Sequence, residues 1–206
     1  MTFNTPVAKP NGIFFGWHVV AATFVLAMFA WGIGFYGALV LLHAVRETKG
    51  WRLEVISAAI TTHFLFGAIV VANLPKLHQR FGVHFVVKAG AISLALGIVG
   101  WALANESWHM FVAALLSGAG WVSIAAVTVN AIIARWFVRA RPAALATAYN
   151  GASIGGVVFA PLLIFMIATF GFPIAMTALG GLYGFHGLDS VGSIFRVQPQ
   201  RHGVSP

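Results

Sequence analysis

The sequence predicts an all-α membrane protein with six transmembrane helices, and composition and run length carry that prediction. Of 206 residues, 60% are hydrophobic and only 8% charged, with a mean hydropathy of +0.91. A soluble domain carries about 25% charged residues. A folded soluble chain with so little charge could not cover its surface with polar groups. The apolar residues also fall in uninterrupted runs of about 20 or more, the length that carries a helix across a hydrocarbon core of ~30 Å. A β-barrel would instead alternate apolar and polar residues over roughly 10 positions per strand. These runs do not alternate, so the reading is helical.

The first span is predicted at 17–42, in a stretch with no Asp, Glu, Lys or Arg between Lys9 and Arg46. The second covers 55–74. The third covers 85–104, with Lys88 near enough to its start to snorkel into the headgroups. The fourth covers 108–133. The fifth, 143–170, is opened by Pro142, whose missing N–H suits a first helical turn. The sixth, 173–195, is the weakest, because it contains five glycines, His186 and Asp189. The polar N-terminus is short and the first apolar run is too long for a signal-peptide core, so the first span is expected to remain uncleaved.

Basic residues set the orientation. Taking the termini and the turns after even-numbered helices as one side, that side holds Lys9, Lys76, Arg80, Lys88, Arg135, Arg139, Arg141, Arg196 and Arg201. The other side holds only Arg46, Lys49 and Arg52, offset by Glu47, Glu54 and Glu106. Nine against three places both termini in the cytoplasm of a cell (inner) membrane. The net charge of +8 is therefore read as lipid-facing. It forms no tract beside stacking aromatics, so nucleic acid is not an expected partner. Cysteine is absent, which excludes a disulfide framework and thiolate chemistry. The acidic residues are too few and scattered for paired-carboxylate or metal chemistry, and Ser153 has no nearby His–Asp pair. No cofactor, metal or enzyme activity is expected. "GASIGG" (151–156) has the look of a phosphate loop but lacks the following Lys-Ser/Thr and lies inside a span.

Small residues recur on the helices. Gly151 and Gly155 form a GxxxG in the fifth span, beside Gly156, and Gly180 and Gly184 form another in the sixth. Gly32, Gly34 and Gly37 cluster in the first, Gly118 and Gly120 in the fourth. Between membrane helices close backbone packing replaces hydrophobic drive, and glycine permits it. Such faces either serve generic packing or let helices one, four and five rock on each other.

Two stretches carry a family resemblance. "PKLHQRFGVH" (75–84) is similar to the G-x-L-x-D-R-x-G-x-R loop of the major facilitator superfamily. Leu77, Arg80 and Gly82 match, while Pro75, Gln79 and His84 replace the first glycine, the aspartate and the last basic residue. "RWFVRARPAALATAYNGASIGG" (135–156) resembles the R-W-F-x-x-R-R pattern of that superfamily's monocarboxylate and oxalate:formate antiporter branch, and its downstream G-x-S-x-G-G. Arg135, Trp136, Phe137, Arg139, Gly151, Ser153, Gly155 and Gly156 match, with Arg141 close by. "FFGWHVV" (14–20) and "GFYGALV" (34–40) fit the same branch's first helix, and the stretch after helix six resembles the start of the central cytoplasmic loop.

The resemblance implies a twelve-helix transporter built from two six-helix repeats, of which residues 1–206 form the N-terminal one. It implies that the loop charges, Arg80, Arg135, Arg139 and Arg141, help to hold one conformational state, with the charge-pair part of that role lost at Gln79. It implies a small organic anion as substrate, a monocarboxylate or dicarboxylate, bound near the bilayer midplane between repeats. The cations that pair with a carboxylate usually lie on the second repeat in this branch. A second six-helix half, as a separate chain or a second copy, is thus an expected partner. The alternatives are an inactive truncated fragment and an assembly partner of a full-length carrier.

Polar residues within spans are functional candidates by default. His63 is either a structural imidazole with a hydrogen-bond partner or a proton-coupling group. The Tyr36 hydroxyl either donates to a carboxylate in the cavity or anchors at the interface. Asn130 and Asn150 either bond each other or a neighbouring helix, or line the cavity.

Overall fold

The computed structural model describes residues 15–182 and 184. Every regular element among them is a helix. The chain runs α1 (Gly16–Phe29), a π-helical turn (Ala30–Tyr36), α2 (Gly37–Lys49), α3 (Leu53–Phe81), α4 (Val83–Leu103), α5 (Ser107–Ile124), α6 (Ala126–Ile133), α7 (Arg141–Phe170) and α8 (Phe172–Leu182). Five passes are long and apolar enough to cross a membrane: Gly16–Lys49, Leu53–Phe81, Val83–Leu103, Ser107–Ile133 and Arg141–Phe170, with the shorter apolar α8 following. His186 and Asp189, in the second half of the expected sixth span, lie outside the described residues.

Helix ends follow backbone chemistry. Gly50, Gly82 and Gly171 take positive φ values of 64°, 79° and 82° where α2, α3 and α7 stop. Side chains other than glycine are strained there. On α5, Glu106 and His109 form a reciprocal capping box, which satisfies donors exposed at the helix start. The Lys49 ammonium donates to the Ala104 carbonyl, tying the end of α2 to the end of α4.

Three stretches differ from the sequence-based expectation. Residues 75–81, expected as a loop, form the last turns of α3, and Gly82 alone separates α3 from α4. Hydropathy marks where a helix leaves the hydrocarbon, not where it ends, and nothing between Pro75 and Phe81 stops it. The first span is not a regular helix but widens at Ala30–Tyr36. The fourth is not continuous either. It breaks at Ala125, where ψ is −144°. Periodicity cannot see one extra or one broken residue inside an all-apolar run.

Packing rests on close backbone approach. A β-carbon on Gly118 of α5 would collide with the His63 carbonyl of α3, so these helices touch at the backbone. The same holds for α7 on α1, where Gly151 faces the Phe24 carbonyl and Gly155 the Met28 carbonyl. Helices α3 and α7 are the least enclosed. In their most apolar stretches only 22% and 17% of residues are buried, against 50–56% for the passes α1–α2, α4 and α5–α6. Their outward faces meet lipid or another protein surface.

Candidate functional site

The π turn lies near the middle of the 34-residue first pass. Closing i→i+5 rings adds one residue to a turn, and such wide turns occur often at functional sites. Three of its neighbourhood's residues, Gly32, Gly34 and Gly37, are glycines. At Gly34 the absence of a β-carbon is required, because one would run into the Trp121 side chain of α5. That leaves the Gly34 carbonyl reachable from α3.

His63 reaches it. The imidazole is 5% exposed, with Nε2 3.0 Å from the Gly34 oxygen and Nδ1 2.9 Å from Ser117 Oγ. A carbonyl only accepts, so Nε2 carries a proton and donates to it. In a neutral ring Nδ1 then accepts from the Ser117 hydroxyl, which in turn accepts from the Trp101 indole N–H at 3.2 Å. The ring lies parallel to Trp121, with centroids 6.2 Å apart and planes at 8°. His63 and Ser117 together thus join four passes. The chemistry also permits a second protonation: Nδ1–H would donate to Ser117, whose hydroxyl would turn to the Ala114 carbonyl 3.3 Å away. A small cavity beside the ring is lined by Ile33, Ala38, Leu41, Ile60 and Leu94 among others, with room for about one water.

An aromatic surface faces outward at the same depth. Phe35 makes ring contacts with Tyr36 (5.2 Å), Phe64 (5.8 Å) and Trp121 (5.9 Å), while Trp31 meets Trp121 and Tyr149 edge-on. Phe35 is 44% and Tyr36 37% exposed. The Tyr36 ring covers Gly156 of α7, where a β-carbon would lie within 3.0 Å of it. The indole N–H of Trp121 is buried without a protein partner.

The other candidates sit elsewhere. Asn130 on α6 lies near the Tyr149 hydroxyl, which donates to the Ala126 carbonyl at 3.1 Å. Asn150 is exposed on α7 and is not bonded to Asn130. Six residues separate Asn150 from Gly156, so it lies about 9 Å further towards the helix start than the Tyr36 ring. Leu77 is half-buried, Arg80 lies 5.3 Å from the Phe81 ring, and Gly82 makes the α3–α4 reversal. Arg135, Arg139 and Arg141 are exposed around the turn between α6 and α7. Sequence reasoning singled out His63 but not Ser117, Trp101 or Trp121. A serine within the apolar run of α5 was the available signal, and its partners come from helices distant in sequence.

Comparison with known proteins agrees with this architecture. The sequence profile described as Major Facilitator Superfamily matches residues 14–206. Monocarboxylate transporter 11 of Mus musculus is 29% identical over 181 residues, covering 86% of this chain and 39% of the relative. The MFS transporter asaE of Aspergillus flavus is 28% identical over 178 residues, covering 82% and 38%. Monocarboxylate transporter 13 of Bos taurus is 29% identical over 163 residues, covering 78% and 37%. The chain spans less than two fifths of the length of these relatives. With the profile matching nearly its whole length on an all-helical, multi-pass membrane fold, the chain belongs to the Major Facilitator Superfamily.

Proposed function

We propose that these six helices form the N-terminal repeat of a secondary transporter for small organic anions of the monocarboxylate kind. Both termini lie in the cytoplasm, and the surface around Phe35, Tyr36 and Trp121 forms half of the substrate cavity. The observation that carries the reading is this mid-depth surface, built by aromatic side chains from four passes and carrying neutral donors. Carriers of this type bind substrate near the midplane between parallel repeats. Among the described residues, lysine and arginine stand only towards the ends of the passes, so this half supplies contact to the apolar body of a carboxylate and a hydroxyl from Tyr36. A monocarboxylate, with one charged end and one apolar end, suits such a wall better than a dicarboxylate does. Asn150, Asn130 and Tyr149 lie on the cytoplasmic approach, and His63, whose Nδ1 could take a proton and donate it to Ser117, is this half's group for proton coupling. Arg80, Arg135, Arg139 and Arg141 hold the cytoplasmic ends together in one state.

Binding between repeats requires a second six-helix unit facing this one. Exposed polar groups such as Tyr36 and Asn150 would otherwise meet hydrocarbon, at a cost of several kcal/mol for each unsatisfied group. The test is exchange of radiolabelled lactate and succinate in proteoliposomes, with the chain alone and with a coexpressed second half from a relative. Saturable lactate exchange that needs the second half, and falls in Tyr36→Phe, is the expected result. Saturable exchange by the uncrosslinked monomer would overturn the two-unit reading. Orientation is checked by reporter fusions at Lys49 and Arg139, expected on opposite faces with Arg139 inside.

A further inference from the structure

We propose that His63 is a positioning residue: it holds the first pass in its wide turn and thereby sets which side chains beyond that turn face the cavity. Where a π turn hands over to an α-helix, bonding steps from the fifth residue to the fourth and a carbonyl near the handover is passed over. In hydrocarbon such a group needs a donor from a neighbouring helix. His63 donates from α3 to Gly34, within this turn. The acceptor-only carbonyl requires the proton on Nε2, and Ser117, itself bonded to Trp101, holds the other ring nitrogen in place.

The consequence for the helix beyond is rotational. Counted at the α-helical step of about 100° per residue, the buried residues of α1 (Gly16, Val19, Val20, Thr23, Leu26, Ala27) and those of α2 (Gly37, Ala38, Leu41, Ala44, Val45) centre on one phase. In a continuous α-helix both stripes would face the same neighbour. The extra residue of the wide turn swings the second stripe by about one step, about 100°. Accordingly α1 packs on α6 and α7, whereas α2 divides its packing between α3 and α7. The same swing leaves Leu39 75% exposed and Ala38 buried. Closing the turn would put residue 38 where 39 now stands and residue 42 where 43 stands. Tyr36, at the end of the turn, would leave its seat over Gly156.

The inference rests on the proposed function only for naming the exposed face as the substrate cavity. The rotation is measurable without transport. The chain has no cysteine, so single cysteines at positions 35–43 can each carry a nitroxide. Oxygen collision rates in reconstituted full-length chain report exposure to lipid and water alike. The natural chain should give maxima at 39 and 43. His63→Leu should move them to 38 and 42, and His63→Gln, which keeps a donor and an acceptor, should restore them. Should His63→Leu fail to fold, deletion of Ile33 supplies the second arm. Removing one residue closes the turn while leaving α2 facing its present neighbours, so the double variant should fold and keep the maximum at Leu39. Unmoved maxima in a folded His63→Leu chain would overturn the proposal. So would a double variant no better folded than His63→Leu alone. Loss of transport with unmoved maxima would count against the positioning role while leaving the transporter reading intact.

Discussion

In the first pass the chain widens at Ala30–Tyr36, and in the fourth it breaks at Ala125. Both irregularities lie inside apolar passes, where water is not at hand to satisfy a freed backbone group. The repairs differ in reach. At the break, the Thr128 hydroxyl donates to the Ser123 carbonyl of the same pass, and the Tyr149 hydroxyl donates to Ala126 from the next one. His78 of α3 approaches Thr128 only at 3.4 Å. The wide turn relies on His63, which is itself held by groups from two further passes. The break is thus repaired by separate short-range bonds, while the turn depends on one shared network. The first should fail piecemeal and the second as a unit.

The largest effect is expected from removing the shared member. His63→Leu leaves the Gly34 carbonyl without the His63 donor and removes the Ser117 hydroxyl's imidazole partner in one step. Hydrogen bonds between membrane helices are worth about 0.6 kcal/mol on average, but stranded buried groups cost about 1–3 kcal/mol each. A loss of roughly 2–4 kcal/mol in reversible unfolding from mixed micelles follows from those values. In a double-mutant cycle, His63→Leu with Ser117→Ala should be strongly non-additive, since the second substitution removes a group already stranded. Additive losses would show that the network does not act as a unit.

At the break the expected effects are smaller and independent. Thr128→Val removes one hydroxyl bond and should cost about 1 kcal/mol. Tyr149→Phe, at a half-buried position, should cost about 0.6 kcal/mol. The pair should add, because each hydroxyl serves a different carbonyl. Coupling between them beyond ~0.5 kcal/mol would mean that the break also behaves as one network.

The contrast explains what the sequence made legible. Five long helices, their order and the GxxxG face of α7 could be read because they depend on hydropathy and on residue type at fixed spacing. His63 stood out because an imidazole within an apolar run is rare. Its partners did not, since Gly34, Trp101 and Ser117 lie 29 to 54 residues away and are ordinary residues in membrane helices. The break at Ala125 left no composition signal at all. The stretch after Leu74 was read as a loop because the apolar run ends there and it resembles a family loop, although Lys, Gln and Arg are all good helix formers.

That last difference sharpens the smallest prediction. The family resemblance places an aspartate where Gln79 stands, and a charge pair in a flexible loop would then be restored by Gln79→Asp. In the structure Gln79 is an exposed residue in the last turn of α3, three positions before Gly82, which leads into α4 at Val83. A carboxylate there faces the negative end of the α3 dipole, which disfavours it, and the positive end of the α4 dipole, which favours it. Lys76 stands three residues earlier on the same helix, the less favourable order for an acid–base pair. These contributions oppose one another, and exposed pairs gain only about 0–1 kcal/mol in any case. Gln79→Asp should therefore leave detergent melting within about 1 kcal/mol of the natural chain, in low salt and high salt alike. A larger stabilisation that disappears in salt would place a cation against position 79, and the arginine turn between α6 and α7 would be the first place to seek it. A large loss would mean that the Gln79 amide already has a neutral partner, and the end of α3 would then share the all-or-none behaviour of the wide turn.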